Sequence, residues 1–143
     1  MDLPVTSIPI ERYEAFRWEV LEDAAMEDWQ GLWEPLEWAN SVLRDLSIDD
    51  RIGAAEQAMR ELFADGLILF VDQGEYAGQP WQERILSADE VDAAISSTTW
   101  RKLPLLDWVT VWFAGTEAGK AAVEEHWATL KKLRAARDGG SDA

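Results

Sequence analysis

Residues 54–72 read AAEQAMRELFADGLILFVD. Ile48, Ile52, Ala55, Met59, Leu62 and Phe63 recur at helical spacing and make one apolar stripe. Gly66 follows, and glycine enters the left-handed conformation that ends a helix without a steric penalty. Leu67 to Val71 is then a run of apolar residues too short for a helix and suited to a buried strand. The stretch therefore predicts a helix to about Asp65, a glycine stop, and a strand over 67–72. Ser47, with Asp49 and Asp50, supplies the start of that helix, with carboxylates at its positive end.

The elements on either side follow from similar signals. Ser7 and Pro9 mark a first helix start, because proline costs nothing in a first turn. Ile10, Tyr13, Phe16, Val20 and Ala24 form its stripe, widened by Trp18 and Leu21, while Glu11, Glu14, Glu19, Glu22 and Asp23 form an acidic outer face. Asp28 then caps a second helix with Trp29, Leu32, Trp33, Leu36, Asn40 and Leu43 on one side. Pro35 falls inside this pattern and predicts either a kink or a split into two helices. Beyond the 67–72 strand, Gly74, Gly78 and Pro80 mark a loop. Ser87 and Glu90 form a capping box for a short helix to about Ile95, and 96–104 reads as irregular. WVTVWFA at 108–114 predicts a second strand. Gly115 ends it, and Thr116 caps a last helix over about 117–137. The closing DGGSDA, 138–143, predicts a disordered tail.

Composition narrows the function classes. A chain of 143 residues suits a single domain, here 1–137, and is long enough to bury a core. No stretch approaches the roughly 18 apolar residues of a membrane span, and the first thirty residues lack a secretion-leader pattern. The absence of cysteine excludes disulfides, thiolate zinc sites and thiol catalysis, and fits a cytoplasmic location. Net charge is −15, and residues 1–50 carry thirteen acids against three bases. Such a balance disfavours nucleic acid and anionic lipid. Nine tryptophans serve either core packing or an aromatic partner surface.

The order helix, helix, helix, strand, insert, strand, helix, together with AMRELFADGLI at 58–68, resembles the winged helix-turn-helix superfamily of bacterial regulators. FAGTEAGKAA at 113–122 is similar to the return strand of a wing and the start of a closing helix. The resemblance implies an α+β fold: a mostly helical winged-helix-like domain with a two-stranded wing and a C-terminal helix. Two departures stand out. The segment Gln73 to Asp107 replaces the tight hairpin of the wing with a long insertion that holds a helix. The third helix, where the family reads DNA, offers Asp50, Gly53, Ala54, Gln57, Arg60, Glu61, Ala64 and Asp65 opposite its apolar stripe. Three acids against one base suit DNA poorly.

No residue set assembles into a catalytic pattern. His126 is the only histidine, and no acid stands three or four residues before it. Ser96, Ser97, Thr98 and Thr99 lack an activating partner. Gly74 and Gly78 lack the lysine and helix of a phosphate loop. Paired acids such as Glu22-Asp23 read as solvated faces. Lys131, Lys132, Arg134 and Arg137 read as the complement of their own helix end, or as a phosphate site. The sequence thus points to a non-enzymatic acidic protein, without cofactor or metal, that binds a basic protein partner. An immunity or antitoxin type of inhibitor is its sharpest form. The alternative is a DNA-binding transcriptional regulator. Glu14, Glu22, Gln57, Arg60, Glu61 and Asp65 are the expected partner-binding residues. The partner's identity and the oligomeric state stay open at this level.

Overall fold

The computed structural model describes residues 8–27, 29–72, 84–97, 99–101 and 111–141. Its elements in chain order are α1 (Ile10–Met26), β1 (Gln30–Gly31), α2 (Glu34–Val42), α3 (Ile48–Ala64), β2 (Ile68–Asp72), β3 (Arg84–Ile85), α4 (Ala88–Ser96), a 3-10 turn (Thr99–Arg101), β4 (Val111–Gly115) and α5 (Glu117–Ser141). The class is α+β. The described strands form one antiparallel sheet in the order β1-β4-β2-β3.

The junction at Gly66 takes the expected form. Ser47 caps α3 by accepting the Asp50 N–H at 3.1 Å. Gly66 sits at φ +73° and releases the chain into β2. β2 pairs with β4 along its whole length, from Ile68 opposite Gly115 to Asp72 opposite Val111. Thr116 ties the two ends of this pair together. Its hydroxyl donates to the Gly66 carbonyl at 2.7 Å and accepts the Gly119 N–H at 3.0 Å, capping α5. The α3 stop and the α5 start are thus one hydrogen-bonded unit, although fifty residues separate them.

Three expectations change. Pro35 neither kinks nor splits a helix. It stands in the first turn of α2, where a missing N–H is harmless, and Gln30 and Gly31 upstream form a short strand against β4. Asp28, the expected cap, lies outside the described residues, as does Ser7. The expected two-stranded wing becomes the centre of a four-stranded sheet, with β1 and β3 as two-residue edges. The second expected strand is described from Val111 to Gly115, and its 108–110 part lies outside the described residues. α5 continues past Arg137 to Ser141, so 138–141 is helical and not a disordered tail.

The core lies between the sheet and the helices. Phe16 and Leu21 of α1, Met59 and Leu62 of α3, Phe70 of β2 and Phe113 of β4 are all at most 2% exposed. The Phe70 ring lies 5.4 Å from Phe113 and 5.7 Å from Phe63. α1 approaches β4 so closely that a Cβ on Gly115 would stand 2.6 Å from the Ala25 Cα. The described part of the insertion joins this core. Val91, Ile95 and Trp100 are buried, and the Trp100 indole donates to the Ile95 carbonyl at 2.9 Å. Ile85 departs from that pattern at 71% exposed, while Trp81, Leu103 and Leu105 lie outside the described residues.

Candidate functional site

The structure places the six expected partner-binding residues on α1 and α3. Glu14 is exposed on α1, and Asp65 is exposed at the end of α3. Glu22 accepts the Trp127 indole N–H at 3.2 Å, on the side of α1 that meets α5. Gln57, Arg60 and Glu61 are half-buried, because neighbouring elements cover the α3 face that carries them. From α1, the Tyr13 hydroxyl donates to Glu61 at 2.6 Å, and Arg17 lies 3.5 Å from Glu61 and 3.8 Å from Asp65. Burial pushes the Tyr13 phenol far above its usual range, and the Glu61 carboxylate beside it adds to the effect. Gln57 donates to the other Glu61 oxygen at 3.1 Å.

The inserted segment covers the next part of the same face. Arg60 pairs with Asp92 of α4 at 2.5 Å, donates to Ser96 at 3.0 Å and pairs with Glu56 at 3.2 Å. Arg101 reaches Glu56 from the 3-10 turn at 3.0 Å. Both arginines that could have met phosphate on α3 have intramolecular partners, since Arg51 donates to Asn40 of α2 at 2.7 Å. Gln57, Arg60 and Glu61 are thus engaged within the chain, while Glu14 and Asp65 stay exposed.

An open acidic cleft lies elsewhere, between the second half of α1 and the start of α2. It holds about 240 Å³. Asp23 of α1 and Glu34 and Glu37 of α2 line it, with Gln30 and Ser41, and with Trp38, Phe113, Pro35 and Val20 as apolar walls. None of these lining residues is basic. Burial raises the Asp23 carboxyl above its ordinary value, and the nearby Glu27 and Glu22 charges raise it further. Burial also raises Glu34, against the lowering effect of the Gly31 N–H that it accepts, with Glu37 and Asp23 adding repulsion. Glu19, on the same helix as Asp23, is raised by burial and then by Glu22 and Asp23. The Trp38 indole nitrogen is buried with no hydrogen-bond partner among the described residues.

This arrangement presents concentrated negative charge beside aromatic surface. It suits an ammonium or guanidinium group, which carboxylates attract and an indole face can stack against. Glu34 and Glu37 sit in the first turn of α2, whose dipole offsets part of their crowding. The sequence carried the signal in the Glu34-Pro35-x-Glu37 pattern, which reads as a helix start. It was obscured because apolar residues at 29, 32, 33 and 36 also fit a helix running through the proline.

His126 is half-buried and stacks on Trp18, with ring centroids 3.9 Å apart and planes within 5°. Among the described residues no group of three or more histidine and carboxylate side chains is placed to hold a metal ion. No described helix is long and apolar enough to cross a membrane. Comparison with protein-family models, with curated proteins and with solved structures finds no match for this chain.

Proposed function

We propose that this chain is a non-enzymatic acidic binding protein of winged-helix type that captures a basic protein partner through the α1–α2 cleft. The observation that carries the reading is the cleft itself: three carboxylates, two aromatic walls and no basic lining residue. A partner's arginine or lysine inserted there would offset the burial of the Asp23 and Glu34 charges and their repulsion by neighbouring carboxylates. An immunity or antitoxin type of inhibitor, blocking the basic groove of a nuclease, is the specific role that this chemistry suits. Three helices ahead of the β2–β4 pair, with α5 closing the domain, support the winged-helix reading. The DNA-regulator alternative loses support, because α1, α4 and the 3-10 turn lie across the α3 face that it needs.

The test is a titration with an arginine-rich peptide at physiological salt, followed by tryptophan fluorescence. Asp23→Lys with Glu37→Lys is expected to weaken binding about tenfold or more, or at least 1.4 kcal/mol. Glu124→Lys with Glu125→Lys changes net charge equally on the exposed face of α5 and is expected to do little. Equal losses from the two pairs would reduce the effect to bulk charge and remove the cleft from the reading. Sub-micromolar binding of the unmodified protein to a DNA duplex would promote the regulator.

A further inference from the structure

The last part of α5 leaves the body of the protein. α5 packs on α1 as far as His126 and Trp127, through the Trp18 stack and the bond to Glu22. Leu130 is half-buried, and every residue from Lys131 to Arg137 is exposed, with Leu133 at 62%. The run reads KKLRAAR and contains no acid. At 1.5 Å per residue, Lys131 to Ser141 spans about 16 Å of helix.

The helix dipole does not account for these charges. Its field acts within the last turn, and the last turn of α5 holds no basic residue. Lys131, Lys132 and Arg134 form no ion pair among the described residues, unlike Arg12, Arg17, Arg60 and Arg101, which all do. Lys131, Lys132 and Arg134 therefore meet no acidic partner among the described residues of their own chain. A second copy of the same chain offers the complementary surface: the cleft of Asp23, Glu34 and Glu37, with no basic lining residue.

We infer that the projecting end of α5 docks its Lys131, Lys132 and Arg134 against the acidic α1–α2 cleft of a second copy. The exchange is reciprocal, so each dimer contains the contact twice. It rests on the cleft being a cation site, as the proposed function does, and adds that the chain itself supplies one occupant. Self-association then competes with the basic partner for the cleft.

Sedimentation velocity of the full chain tests this. At about 100 μM and low salt, the protein is expected to sediment as a dimer, and at about 0.5 M salt as a monomer, since the contact is between exposed charges. Lys131→Glu, Lys132→Glu and Arg134→Glu together change only exposed side chains and are expected to abolish the dimer without loss of fold by circular dichroism. Asp23→Lys with Glu37→Lys is expected to do the same. Mixing the two variants one to one is expected to restore a dimer through one native contact and one with its charges reversed on both sides. A protein that stays monomeric in low salt overturns the inference, as does an α5 variant that still dimerises or a mixture that does not associate. Binding of the unmodified chain, but not the α5 variant, to anionic vesicles or a DNA duplex would reassign the basic run and overturn it too. The arginine-rich peptide separates the two readings. If the α5 variant is as monomeric as the unmodified chain and both bind the peptide, self-association fails and the proposed function stands. Absence of peptide binding in the α5 variant, whose cleft no second copy occupies, removes both.

Discussion

Gly66 sits at φ +73°, and a Cβ placed there would meet nothing within 4 Å. A side chain at this position therefore costs backbone strain alone. Gly66→Val is expected to lower unfolding free energy by about 1–2 kcal/mol, the penalty of an L-residue in the left-handed region. Gly66→Asn should lose less, because asparagine tolerates that region. Urea unfolding of both variants measures the difference. Equal losses would mean that the position is governed by packing and not by φ. The consequence extends beyond α3, since the Gly66 carbonyl accepts the Thr116 hydroxyl that also caps α5. Two other single residues set the chemistry of the surface. Glu61 accepts from Tyr13 and Gln57 and pairs with Arg17, so it is a joint between α1 and α3 and not a free charge. Trp38 lines the cleft with its indole nitrogen buried and unpartnered among the described residues.

Among the elements, α4 shows which forces hold the insertion in place. Its ion pair to α3, Asp92 with Arg60, and the Arg101–Glu56 pair from the 3-10 turn are part-exposed, and pairs of that kind contribute about 0–1 kcal/mol each. Its apolar side is different, for Val91 is 2% exposed and Ile95 0%. Ile95→Ala is expected to cost about 2–5 kcal/mol and Arg60→Ala less than about 1 kcal/mol in urea unfolding. Amide exchange gives an independent reading: residues 91–96 should be protected nearly as well as the middle of α3, and fast exchange there would mean that α4 is not part of the core. The capping box that starts α4 was legible in the sequence, as were the Ser47 cap, the Gly66 stop and the Thr116 start, because each is a local pattern with a local cause. The stretch before Pro35 was not. Trp29, Leu32 and Trp33 satisfy helical spacing, yet the choice between helix and strand is made by the pairing of Gln30 and Gly31 with β4, some eighty residues away. The coverage of α3 by α4 was illegible for the same reason. Ser96 and Asp92 give no sign in sequence that they meet Arg60. The cleft, too, exists only through the approach of α1 to α2, which no spacing rule encodes.

For the whole molecule, the dominant quantity is the −15 charge and where it is crowded. Asp23, Glu34 and Glu19 have folded-state pKa values above their ordinary ones, chiefly through burial. The folded form therefore holds their protons more tightly than the unfolded form does. Stability falls as pH rises through the window above the ordinary carboxylate range near 4, and is regained on acidification from neutrality. Asp45 and Glu90 act in the opposite sense. The hydrogen bond from Arg12 holds Asp45 at about 2, and the Ser87 N–H followed by Arg84 lowers Glu90. Their contribution is present above the ordinary range and is lost as pH drops through their folded values. The two groups act in sequence, so the urea midpoint is expected to rise from pH 7 to about 5 and to fall below about 3. Added salt should raise the pH 7 midpoint by screening the repulsion. Asp23→Asn with Glu34→Gln should flatten the rise between pH 7 and 5 while leaving the acid limb unchanged. A midpoint that falls steadily from pH 7 downward would mean that the cleft carboxylates are not crowded. The same titration links stability to binding. A bound cation favours the charged carboxylates and a proton removes them, so proton and partner compete for the cleft. Affinity for the arginine-rich peptide should therefore weaken over the pH interval in which the free protein gains stability.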